Sequence, residues 1–128
     1  MRYLVDTHAL LWFVAGDTQL SDRAQSLIED PGHVMLVSSA SAWEIATKFR
    51  LGKLPGAALL AQNFDDTVAG LGFAPLVITI AAAQRAGGWM VDCNDPFDRI
   101  LAAQAELEGI PLITADGAFA PFGVATVW

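Results

Sequence analysis

Five short, largely apolar runs constrain this chain most: Tyr3-Leu4-Val5, Val34-Met35-Leu36-Val37, Leu76-Val77-Ile78, Leu112-Ile113-Thr114 and Val124 to Val127. A strand with one face in water alternates apolar and polar residues. These runs do not alternate, so both of their faces must be covered. Between them lie segments with helical spacing or helix-start signals. Strands alternating with helices, and apolar on both sides, predict an α/β domain with a mostly parallel sheet and helices on both faces. At 128 residues the chain reads as a single domain, 1–128, long enough for a proper hydrophobic core.

The helical segments follow in order. Asp6-Thr7 are good capping types, and Leu10, Leu11, Phe13 and Val14 predict a buried helix over 8–15, stopped at Gly16. Ser21 caps a more polar helix from Asp22 to Glu29. Ser38 to Ser41 open a helix through Ala42, Ile45, Ala46 and Phe49, closed by Gly52. After Pro55 one helical pattern runs to about Ala69. An Ala-rich helix is expected over 80–86, then a loop over 87–94. Asp95 and Pro96 start the next helix: Asp95 caps the first amides, and Pro96 lacks an N–H where none is needed. Phe97, Ile100, Leu101 and Ala105 turn its apolar side to the core. A turn or short helix over 115–121 precedes the last strand.

Residues 67–84 carry no charge, but Gly70, Gly72 and Pro75 break them into helix end, turn and strand rather than a membrane span. Cys93 is the only cysteine, so no internal disulfide forms. The N-terminus enters a strand directly, unlike a signal peptide, and a cytoplasmic protein is expected.

The acids carry the functional signal. Asp6 follows the first strand, Glu44 sits in the helix after the second, Asp98 opens the helix after the 87–94 loop, and Asp116 comes two residues after Thr114. In a parallel sheet these places lie at the carboxyl ends of the strands, where the ligand crevice forms. Taken singly, each acid reads as structure. Asp6 and Asp95 are caps, Ser41-x-x-Glu44 matches a capping box, Asp98 is a partner in the Asp95 cap, and Asp116-Gly117 is a turn pair. Capping does not explain why four strand-to-helix junctions carry an acid together. Four clustered carboxylates repel unless protons or a cation are shared among them, and an oxygen-only set suits Mg²⁺ or Mn²⁺ rather than zinc.

The formal charge of −7 argues at first against a nucleic-acid partner. Taking Asp6, Glu44, Asp95, Asp98 and Asp116 out of the fourteen acids leaves nine against seven basic residues. The remaining surface is then close to neutral, and phosphate chemistry stays open. His8 and His33 form no local metal motif. Ser38 and Ser39 lack a nucleophile-elbow setting and read as caps or cleft hydrogen-bonders. Trp12, Trp43, Trp89 and Trp128 read as core or interface. Lys48, Arg50 and Lys53 read as a solvated helix end, with phosphate steering in reserve.

Five stretches then resemble the PIN-domain ribonucleases, in particular the VapC-type toxins of bacterial type II toxin–antitoxin systems. They are Leu4 to Trp12, Ser38 to Lys48, Gly52-Lys53-Leu54, Asp95 to Ala105 and Leu112 to Asp116. The resemblance implies a three-layer α/β/α fold whose acids bind Mg²⁺ or Mn²⁺ and hydrolyse RNA phosphodiesters. By position it implies metal-binding and catalytic roles for Asp6, Glu44, Asp98 and Asp116, a secondary metal contact at Asp95, and supporting hydroxyls at Thr7 and Thr114. It implies a cognate antitoxin that covers the cleft and an apolar groove, and a homodimer. Cys93 stands where many relatives with the D-P-F-D-R form have a histidine. Two other readings of the same acids are a phosphoryl-transfer enzyme of the phosphatase or receiver type and a non-catalytic binding module. The first lacks a D-x-D pattern and a late lysine, since Lys48 and Lys53 are the only lysines and lie mid-chain.

Overall fold

A computed structural model describes residues 1–128, all of the chain. Strands β1 (Arg2–Val5), β2 (Val34–Ser38), β3 (Ala74–Leu76), β4 (Leu112–Ile113) and β5 (Thr126–Val127) form one sheet in the order β3-β2-β1-β4-β5, with every pairing parallel. Helices α1 (Thr7–Ala15), α2 (Asp22–Glu29), α3 (Ser39–Arg50), α4 (Ala58–Gln62), α5 (Phe64–Gly70), α6 (Ile80–Gly88) and α7 (Pro96–Glu108) connect the strands. A 3₁₀ turn at Gly117–Phe122 joins β4 to β5. This is the expected three-layer α/β/α architecture with a parallel centre.

The two-residue period of the strands sorts the core into two layers. Tyr3, Val5, Met35, Val37 and Ile113 turn to one side, where Ala9, Leu10, Ala24, Ile28, Leu60 and Val68 of α1, α2, α4 and α5 meet them. Leu4, Leu36 and Leu112 turn to the other, against Leu101, Ala102 and Ala105 of α7 and Phe119 and Phe122 of the 3₁₀ turn. Ala102 and Ala105 are buried with almost no side chain, so α7 lies close on the sheet. That closeness holds its first turn at the sheet edge.

Several boundaries differ from the sequence expectation, each for a physical reason. Strand β3 lies two residues earlier than 76–78 and contains Pro75. It is an edge strand, where a missing N–H leaves no ladder bond unmade, while Val77 beyond it is exposed. The single helix expected after Pro55 is two, because Asn63 takes φ −135° and ends α4 before α5 begins. Helix α6 runs on through Gly87 and Gly88, and β5 keeps only its last two residues. The cap of α3 is Ser38, whose Oγ accepts from the Ala40 amide at 3.0 Å. Ser41 is therefore inside the helix, and the Ser41-x-x-Glu44 capping box does not form. Phe97 is only half-buried and meets Trp43, itself exposed, edge-on at 4.8 Å between ring centres. No helix is long and apolar enough to cross a membrane.

The connection from α6 to α7 is held by one side chain. Arg99 donates from Nε to the Ala86 carbonyl at 2.7 Å, and from Nη1 to Val91 and Cys93 at 2.9 and 2.7 Å. Its Nη2 donates to the Trp89 carbonyl. Only a guanidinium offers donors in this fixed fork; an ammonium has three on a single point. Arg99→Lys should therefore lower stability by about 2 kcal/mol, since charge-assisted hydrogen bonds are lost without replacement. Urea denaturation with an unchanged slope would measure it, and a loss below a few tenths would show that the loop does not depend on Arg99.

Candidate active site

Strand β1 sits between β2 and β4, so the residues that leave these three strands emerge side by side. Asp6 leaves β1 and caps α1. Its Oδ1 accepts from the Ala9 amide at 2.7 Å, and its Oδ2 accepts from the Thr114 hydroxyl beyond β4. Thr114 Oγ1 in turn accepts from the Asp116 amide at 3.0 Å. Asp116 caps the 3₁₀ turn by accepting from Ala118 at 2.9 Å. Thr114 thus links the first and last acids across 108 residues of chain.

The second side of the site comes from α3 and α7. Glu44 lies on the inner face of α3, only 4% exposed, with Oε2 2.5 Å from the Lys48 ammonium. Thr7 at the start of α1 shares a 3.0 Å hydrogen bond with Ser41, which fixes α1 against α3. Asp95 accepts from the Phe97 and Asp98 amides at 2.9 and 3.4 Å, the expected cap. No side-chain bond runs back from Asp98 to that cap. Its carboxylate is left for the cleft.

Asp6, Thr7, Glu44, Asp95, Asp98 and Asp116 line one small cleft together with His8, Lys48 and Leu101. Thr114 stands just behind it, bonded to Asp6. All the acids singled out by position are thus brought together, as are both hydroxyls. His8 lines it too, as does Lys48, for which phosphate steering stands in reserve in the sequence. A Glu44-to-Lys48 spacing of four on a helix was the available signal for the lysine, and it was read as a helix end.

The cleft is short of positive charge. Burial, then repulsion from Asp95, Asp116, Glu44 and Asp6, pushes the Asp98 carboxyl up to about 7. Burial also raises Asp6, against the pull of its hydrogen bonds from Thr114 and Ala9. A cation would relieve both. The donors are oxygens, which fits Mg²⁺ or Mn²⁺. No three of the acids close around a common point by themselves. The cleft holds about 50 Å³, enough for an ion and a water but not a nucleotide. A hard ion that keeps some water ligands suits such a partial cage.

A second, apolar hollow of about 430 Å³ adjoins the cleft, between α1 and the segment 53–60. Leu11, Trp12, Val14, Leu54, Leu59 and Leu60 line it, and His8 belongs to both hollows.

The raised Asp98 makes a signed prediction. The unfolded chain releases this proton near 3.8 and the folded chain near 7, so stability is full below 3.8 and falls as pH rises to 7. In chelator, Asp98→Asn should raise the melting temperature at pH 8 by about 4 °C, from about 1 kcal/mol after allowing for solvent screening of a half-buried group. At pH 5 the gain should shrink to about a third, because the cost builds up only between 3.8 and 7. Equal gains at both pH values would contradict the charge account.

The family model described as PIN domain matches residues 3–123. Ribonuclease VapC16 of Mycobacterium tuberculosis is 38% identical over 69 residues, 52% of this chain and 49% of that protein, so the match spans about half the relative's length. Among solved structures, VapBC2 from Rickettsia felis bound to a promoter DNA fragment superposes with a TM-score of 0.70 at 12% identity, covering 99% of this chain and 98% of that one. A toxin–antitoxin complex from Klebsiella pneumoniae gives 0.64 at 20% identity, covering 98% and 96%. At such identities the two structures speak for the fold.

Proposed function

The chain belongs to the PIN-domain family, and from that premise we propose that it is a Mg²⁺- or Mn²⁺-dependent endoribonuclease, the toxin of a type II toxin–antitoxin pair acting in the cytoplasm. The observation that carries this reading is the set of carboxylates from four strand-to-helix junctions on one cleft, where they outnumber the basic side chains. The likeness to a ribonuclease of the VapC type supports RNA as substrate.

Asp6, Glu44, Asp98 and Asp116 are the residues that would hold the ion, with Asp95 at the rim. When bound, a divalent ion supplies charge neutralisation at the scissile phosphate and acidifies the attacking water. The chain's own part is to hold the carboxylates without slack. Thr114 fixes Asp6 through a hydroxyl bond, the Asp95 cap fixes the turn that carries Asp98, and Thr7 with Ser41 locks α1 to α3. No serine or cysteine in the cleft serves as a covalent nucleophile. The cleft is too small for a nucleotide, so RNA would lie across its mouth rather than enter it.

The apolar hollow beside the cleft supports the partner reading. A segment of antitoxin with apolar side chains would fill it, and a basic side chain from the same segment would reach the acids past His8. The solved toxin–antitoxin complexes of the same fold are consistent with such a partner. A homodimer accords with exposed Trp43, Leu51 and Leu59.

Asp6→Asn and Asp98→Asn should each reduce Mg²⁺-dependent cleavage of total cellular RNA by at least about 100-fold, as expected for loss of a group that stabilises transition-state charge. Far-ultraviolet circular dichroism should be unchanged. Full activity in either variant would refute the site. A wild-type chain that cleaves no RNA and binds no Mn²⁺ would favour the non-catalytic module.

A further inference from the structure

The acids of the cleft are not equally short of positive charge. Glu44 is 4% exposed, and a carboxylate so withdrawn from water needs a partner. Lys48 supplies it from the next turn of α3, with Nζ 2.5 Å from Oε2. The acid precedes the base by four residues, the favourable order on a helix. Both residues line the cleft, so the ammonium stands among the acids rather than out on the helix surface.

At the other end the basic side chain lining the cleft is His8, whose charge draws the Asp6 carboxyl down but which forms no ion pair with it. Asp6 is satisfied by a hydroxyl and an amide, Asp116 by an amide, and no side-chain hydrogen bond ends on the Asp98 carboxylate. None of the ion pairs of the structure includes Asp6, Asp98 or Asp116. The cleft is therefore divided into a neutralised end and a bare one.

Building on the metal-dependent reading above, we propose that Lys48 takes the place of a second divalent ion. It neutralises Glu44 from within the chain, so the cleft takes one Mg²⁺ or Mn²⁺ rather than two. Paired ions in two-metal sites stand about 4 Å apart. A second ion at Glu44 would have to share that carboxylate with an ammonium already bonded to it, and two like charges at such a distance repel strongly away from bulk water. The ammonium is tethered by the helix, so its presence does not depend on the metal supply.

Calorimetric titration of the full chain with Mn²⁺ tests this without relying on activity. One ion per chain is expected for wild type and for Lys48→Arg, which keeps the charge. Lys48→Met should bind two, because Glu44 is then bare, and Glu44→Gln with Lys48→Met should fall back to one. Lys48→Gln repeats the measurement with a polar side chain should the methionine variant fail to fold. Two ions in the wild type, or one in each single neutral variant, would overturn this inference alone. No Mn²⁺ bound by the wild type would overturn the metal-dependent reading with it.

Discussion

Everything at the cleft depends on the central position of β1. It is paired in parallel with β2 on one side and β4 on the other. Parallel pairing sends all three chains out at the same edge, and each exit is followed at once by a polar residue. Asp6, Ser38 and Thr114 are those residues, and all three are buried. An antiparallel partner for β1 would have sent one of the exits to the opposite edge. The bond from Thr114 to Asp6 is the side-chain expression of the same register, since it can form only when Val5 and Ile113 stand side by side.

The same residues start helices and charge the cleft, and the two duties conflict. A cap favours a carboxylate because it accepts amide hydrogens at the positive end of a helix. Gathering several such caps concentrates negative charge, which shows in the raised Asp98 and Asp6. The apolar layers supply the compensation. Leu4, Leu10, Leu101, Leu112 and Ile113 are at most 1% exposed and fix the helices from behind. The site is therefore held in a state that the apoprotein disfavours electrostatically and that a cation would relax.

Much of this was legible in the sequence, and the failures are instructive. Uniformly apolar strands gave the parallel sheet, and acids placed just after strands gave the edge where they would meet. Fold class and the cleft's acids came from pattern alone. Local detail did not. Ser41 and Glu44 have the spacing of a capping box, but Ser38 lies three residues earlier and caps the helix, which turns Ser41 inward to Thr7. Pro75 read as a break because nothing in the chain says which strand lies at the edge of the sheet. Arg99 carries no signal of its own in the sequence, and only the folded path of 86–93 reveals four carbonyls within its reach. Long-range partners of this kind have no period and no fixed spacing.

Net charge was the most misleading quantity. A chain at −7 looks unsuited to a phosphate backbone, and over the whole surface it is. What matters is where the excess sits. On the proposed reading, acids drawn into one cleft would attract a divalent ion, which would present positive charge to phosphate where the bare protein presents negative. Lys48, held inside the cluster by Glu44, has the same sign of effect at shorter range. Phosphate recognition would thereby be concentrated at a single point and be conditional on metal, whereas a basic surface would bind nucleic acid everywhere and at all times. The near-neutral remainder of the surface offers no basic face, so on the proposed reading RNA would be held only at the cleft.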